Sequence, residues 1–182
     1  MKKTVKNPAI GHKITFLQTS AQTNGALLQI EYGVEKPESK PSIPLHIHLK
    51  CEERFEVVAG QLGVILDGER QVLRVGDEVI VPPKTPHTFW NAGQDELRFI
   101  TDVRPPGDLQ TYWETVFGLA EDGKVNKDGM PNLLQLAVIA PLSDSYFPNI
   151  PVAVTKVVTS VLGWVGRLAG YKAQYPKYSN HS

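Results

Sequence analysis

Cysteine is almost missing from this chain. Cys51 stands alone, so no intrachain disulfide can form and nothing points to an oxidising compartment. An excess of charge of either sign is missing too: 19 Lys and Arg balance 19 Asp and Glu. A neutral chain has no basic field to draw in nucleic acid. No apolar run approaches the length that spans a bilayer. The opening segment MKKTVKNPAIGHKI has lysines but no apolar stretch behind them, which argues against a secretory signal. The expectation is a cytoplasmic chain with no membrane span. Three chemistries lack their motif: there is no G-x-S-x-G elbow, no phosphate-cradling G-x-x-x-x-G-K-[ST] and no G-x-G-x-x-G.

What is present is enough apolar material for a core. Hydrophobic residues make up 41% of the 182 and charged residues 21%, an ordinary globular balance. The length predicts one domain with an appended element. Residues 14–17, 26–32, 55–58, 62–66, 71–75, 78–81 and 97–101 read as short strands rich in β-branched and aromatic side chains. Asp67-Gly68 is a hairpin turn, because glycine tolerates the positive φ of a type I′ turn. Gly60, Gly76 and Gly93 punctuate other strand ends. Many short strands at regular spacing predict an all-β sandwich or barrel over residues 1–104.

The texture changes over residues 105–182. Asp108 is placed to cap a helix carrying Leu109, Tyr112, Trp113, Val116 and Phe117 at helical spacing. Gly123 to Gly129 reads as a polar loop. Pro131 is placed to open a second helix through Leu133, Leu134, Leu136 and Val138, ending before Pro141. Beyond Pro148 and Pro151, a stripe of Val154, Val157, Val158, Val161, Leu162, Val165 and Leu168 predicts a last helix of roughly 16 to 18 residues. Lys156, Arg167, Lys172 and Trp164 border it, a pattern shared with helices that lie on membranes. Packing on the barrel or on a second subunit is the expectation, with a homodimer as its consequence. The tail from Tyr175 to Ser182 is polar and is expected to fray.

The segment Pro44-Leu-His46-Ile-His48 holds the strongest chemical signal. Residues i and i+2 of a strand share a face, so His46 and His48 can present two imidazoles to one cavity. A His-x-His pair is also a common solvated or structural feature. Glu53 follows a short turn and offers a carboxylate, and His87 follows a stiff proline-rich turn, Val81-Pro-Pro-Lys-Thr-Pro86. Imidazoles and a carboxylate together suit borderline divalent metals. Phe55 and Val57 share strand parity with Glu53, and Phe89 and Asn91 share it with His87. These residues, with Gln29 and Glu31, are candidates either for a substrate pocket or for ordinary barrel core and sheet edge. Cys51, flanked by Glu52 and Glu53, reads as a turn thiol and a poor nucleophile.

These segments resemble the two motifs of the cupin family, G-x5-H-x-H-x3,4-E-x6-G and G-x5-P-x-G-x2-H-x3-N. His46, His48, Glu53 and Gly60 fit the first; Gly76, Pro82, His87 and Asn91 fit the second. Glu52 would satisfy the shorter spacing, but only Glu53 leaves the right gap to Gly60. Lys40 and Lys84 stand where the motifs have glycines, both at turns. The resemblance covers about half the chain, residues 14–103. It implies a double-stranded β-helix, or jelly-roll, barrel with one divalent transition metal (Fe, Mn, Ni, Co or Zn) on His46, His48, Glu53 and His87. Implied functions are a dioxygenase-like oxidoreductase acting on a small organic molecule, with Glu53 also moving a proton; a metal-dependent isomerase or decarboxylase; or a module that binds a small molecule without turnover.

Overall fold

The computed structural model describes residues 2–41 and 43–179; Asn180 to Ser182, the end of the expected frayed tail, lie outside the described residues. Ten strands come first: β1 (Thr4–Asn7), β2 (His12–Gln18), β3 (Leu28–Val34), β4 (Ile47–His48), β5 (Glu52–Ala59), β6 (Gln61–Leu66), β7 (Glu69–Arg74), β8 (Glu78–Val81), β9 (His87–Asn91) and β10 (Leu97–Arg104). They are followed by α1 (Leu109–Glu121), α2 (Leu133–Ser143), β11 (Ser145–Tyr146) and α3 (Val152–Leu168). The expected mainly β chain with a helical C-terminal extension is therefore what folds.

Six strands form one antiparallel sheet in the order β1-β2-β3-β10-β5-β8, and three form a second in the order β7-β6-β9. The register stacks apolar side chains in rows across the large sheet. Ile14 pairs with Tyr32, Tyr32 with Phe99 and Phe99 with Val57, and all four are buried. Because side chains alternate along a strand, this register sends Glu53 and Thr101 to the same inner face. From the small sheet, Val64 and its partner Phe89 face back into the core. Tyr32, Phe55, Phe89 and Phe99 form an aromatic cluster with neighbouring ring centroids 5.2 to 5.9 Å apart.

The Asp67-Gly68 hairpin forms as expected, both residues with positive φ, of 50° and 85°, closing β6 onto β7 at Leu66 and Glu69. Gly60 has φ +76°, and a Cβ there would stand 2.7 Å from the Glu96 carbonyl, so only glycine fits. Two strands, β1 and β11, carry no readable alternation. They exist because they complete pairing begun elsewhere: Val5 lies opposite Ile14 and Ser145 opposite His48.

The extension departs from its sequence reading in three places. α2 opens at Leu133 rather than at Pro131, capped by Asn132, whose side chain accepts from Gln135 N at 3.1 Å. The helix does not end before Pro141 but runs through it to Ser143; near a C-terminus the missing N–H removes only one bond. The carbonyl this leaves free, that of Ala137, is where Gly163 of α3 comes close, 3.0 Å from where a Cβ would sit. The tail is packed as far as it is described: Tyr178 is buried against Gly118 and its hydroxyl bonds to Asp122 at 2.5 Å. Asp108 sits at the N-cap of α1 but makes no capping bond with its side chain. The glycine face of α3, Gly163 and Gly166, rests on α2, whereas Val157, Val161, Trp164 and Leu168 stand 58 to 70% exposed. No helix among the described residues is long and apolar enough to cross a membrane.

Candidate metal centre

Four side chains from three strands and one bridge converge at one end of the space between the sheets. His46 lies directly opposite His87, with both backbone bonds made, at 3.0 and 2.9 Å. His48 follows on β4, and Glu53 enters from β5. One ligand atom from each of His46, His48, Glu53 and His87 lies within 4.8 Å of the others. The Glu53 carboxylate oxygen is 3.0 Å from His87 Nε2 and 3.6 Å from His48 Nε2. His48, Glu53 and His87 are buried, and His46 is half-buried at the cavity edge.

Each ring is oriented from behind. His46 Nδ1 meets the Pro44 carbonyl at 2.8 Å, His87 Nδ1 the Thr85 carbonyl at 2.9 Å, and His48 Nδ1 the Ser143 carbonyl at 3.1 Å. A carbonyl only accepts, so each Nδ1 carries a hydrogen and each Nε2 faces the interior, where that of His87 donates to the Glu53 carboxylate at 3.0 Å until an incoming ion takes its place. That arrangement is how proteins fix imidazoles as metal ligands. The donor set therefore fits a divalent transition ion: three neutral imidazole nitrogens and one carboxylate.

The electrostatics set His46 and His87 apart. Burial, reinforced by His87 and His48, pushes His46 down to about 3, so it is neutral near pH 7. Burial alone would raise Glu53, but the charges of His48, His87 and His46 and the His87 hydrogen bond outweigh it and hold the carboxyl down to about 2. Burial would lower His87, but the hydrogen bond and charge of Glu53 win and hold it above the ordinary imidazole range. Cys51 lies nearby and buried; burial and the charges of Glu53 and Asp144 push its thiol up to about 12, so it offers no thiolate.

The turn before His87 is tied to His48. Lys84, standing where the motif has glycine, has φ +67° and donates its N–H to the His48 carbonyl at 2.6 Å. The left-handed turn is thus kept without glycine. Lys40 is not among the described residues with positive φ, so its position makes no such demand. The other motif residue, Asn91, is fully buried and ties its own turn, donating to the Asp95 carbonyl at 2.8 Å and accepting from Gly93 N at 3.0 Å.

A cavity of about 240 Å³ opens from the His46, His48 and Glu53 side. Phe55 and Phe89 line it and are also core. Asn91 and Gln29 do not; Gln29 donates to Asp102 at 2.8 Å. The far wall comes from the extension: Tyr112, Trp113, Val116 and Phe117 of α1, Leu136 of α2, and Ser145 to Phe147. The periodicity of α1 marked these residues only as an apolar stripe. Ser143, which orients His48, left no sequence signal, because a backbone carbonyl has none.

Residues 34–103 match the family model described as Cupin domain. The chain is 32% identical over 148 residues to a probable oxidoreductase, virH, from Hypocrea virens, covering 74% of this chain and 67% of the relative. It is 30% identical over 79 residues to a quercetin 2,3-dioxygenase from Bacillus subtilis, covering 43% of this chain and 23% of that enzyme. Among solved structures it is similar to a predicted oxalate decarboxylase from Thermotoga maritima, with 19% identity, 58% of this chain and 92% of that chain covered, and a TM-score of 0.48. With the family model seated on the two sheets and a relative matched through most of the chain, this protein belongs to the cupin superfamily.

Proposed function

We propose that the chain is a metal-dependent oxidoreductase of the dioxygenase kind, acting on a small organic molecule. One observation carries the reading: three imidazoles, each with Nδ1 tied to a backbone carbonyl, turn Nε2 toward one another and toward Glu53 beside an apolar cavity. His46, His48, Glu53 and His87 would hold the ion. A bound divalent transition ion supplies Lewis acidity and, for Fe or Mn, one-electron exchange with dioxygen. The protein's own groups do the rest. The aromatic wall excludes water and holds the substrate flat. The carboxylate oxygen of Glu53 next to His87 takes or returns a proton at the substrate edge. The fungal and Bacillus relatives, named as oxidoreductase and dioxygenase, agree with this class. Isomerases and decarboxylases of phosphorylated or acidic substrates fit less well, because no Lys or Arg lines the cavity.

Protein purified without chelator is expected to contain close to one equivalent of Fe or Mn by elemental analysis, and His87→Ala to lose it. Oxygen uptake with aromatic or keto substrates should follow the metal content. A protein without metal, and with no recovery on adding Fe or Mn, refutes the reading.

A further inference from the structure

The cavity contains polar groups that the metal centre does not use. Tyr112 of α1 lines it beside Trp113 and Phe117. Its phenol makes no hydrogen bond to any described residue, and burial pushes it up to about 12, so it stays protonated and can donate. The contrast with Tyr32 is informative. Tyr32 lines the same cavity, but its hydroxyl is already paired with His12 Nδ1 at 2.9 Å. Thr101, opposite Phe55 on the large sheet, also lines the cavity and leaves its hydroxyl without a partner among the described residues. Neither hydroxyl is among the described buried atoms sealed off without a partner, so both are open to whatever fills the cavity they line, where a substrate oxygen can take the bond that water otherwise makes. Phe55, Phe89, Trp113 and Phe117 make much of the wall flat and apolar; Asn7, Asp128 and Ser145 also line it, and no Lys or Arg does.

We propose that Tyr112 is a specificity-determining residue of this pocket: it donates a hydrogen bond to an oxygen of an uncharged, ring-bearing substrate whose opposite oxygenated edge faces His46, His48, Glu53 and His87. The inference rests on reading that cluster as the substrate-facing metal centre. The helical extension is then the part of the chain that selects the substrate, and carboxylates and phosphates are disfavoured because no side-chain cation receives them.

The test uses three two-ring probes, 2-naphthol, 2,6-dihydroxynaphthalene and 2-naphthoate, titrated calorimetrically into the full chain without oxygen. The diol should bind about fivefold tighter than the mono-ol, the gain of one added hydrogen bond. Tyr112→Phe should erase that advantage while leaving 2-naphthol within about twofold, the smaller end of the same range. Trp113→Ala, which shortens the wall but keeps the hydroxyl, should weaken both alike. Tightest binding by 2-naphthoate, or a diol advantage that survives Tyr112→Phe, overturns the proposal. Metal content measured on the same samples separates the two readings. A metal-free protein whose diol advantage still depends on Tyr112 refutes the metal centre and supports Tyr112. A metal-loaded protein indifferent to Tyr112→Phe overturns the role of Tyr112 alone.

Discussion

At Glu53, three imidazoles compete for one carboxylate. His87 is the nearest, at 3.0 Å, and the pair shapes how the site responds to pH. The metal-free site holds a proton on His87 more tightly than an ordinary imidazole does, and an incoming ion must displace it. Metal affinity is therefore expected to rise with pH through the His87 titration, by about tenfold per pH unit for one released proton. His46, held down to about 3, adds nothing to that slope near neutrality. Glu53→Gln should lower affinity and flatten the slope, since the carboxylate is what holds the His87 proton. Metal titrations at several pH values check both; a pH-independent affinity in the native chain removes the account. The sign for stability is opposite in the two groups. Glu53 lies below its ordinary 4.5, so its contribution to the metal-free fold is full above that value and is lost as pH falls toward about 2. His87 contributes fully below its ordinary 6.5 and loses its contribution as pH rises through its raised value.

Among the elements, the two-residue strand β11 does the most for its length. It follows α2 directly and pairs Ser145 with His48, so the end of a helix and a proposed metal ligand share one backbone ladder. Asp144, between them, accepts from Leu49 N and Lys50 N, both at 3.0 Å. These bonds place the Ser143 carbonyl behind His48. Asp144→Gly removes the acceptor but suits the φ of 48° found there. It should weaken metal binding on the order of tenfold, as loss of an outer partner does, with far-UV circular dichroism unchanged. Unaltered affinity would show that His48 needs no such support. The extension is thus not a separable appendage: α1 lines the cavity, α2 orients a ligand, and the tail locks back on α1 through Tyr178 and Asp122.

At the scale of the whole molecule, the third helix of the extension turns an apolar face outward. The outward face of α3, with Val154, Val157, Val161, Trp164 and Leu168, is 50 to 70% exposed. An uninterrupted apolar strip of this kind marks a contact surface, and the expected homodimer is a proposal for it. Sedimentation should then show a dimer that Val161→Glu converts to monomer at the same concentration; an unchanged species would send the search elsewhere.

Much of this protein was legible in its sequence. His46 and His48 were readable as a pair because period-two alternation is a local property, and the resemblance to the two cupin motifs is what joined Glu53 and His87 to them. Also readable were the β5, β6, β7 and β10 strands, the Asp67-Gly68 turn and the 17 residues of α3. Each follows from neighbours a few positions apart. Other features depended on residues distant in the chain meeting in space, and only the tertiary structure decided them. The Ser143 carbonyl lies 95 positions from His48; Tyr112 reads along α1 as one more aromatic of a buried stripe until the cavity beside it is known. The sign of the α3 stripe was also undecidable from periodicity, which shows that a helix has an apolar face but not which way it turns. Gly163 and Gly166 settled it. They allow α3 to approach the α2 carbonyls on its glycine side, and that close contact leaves the valines facing outward.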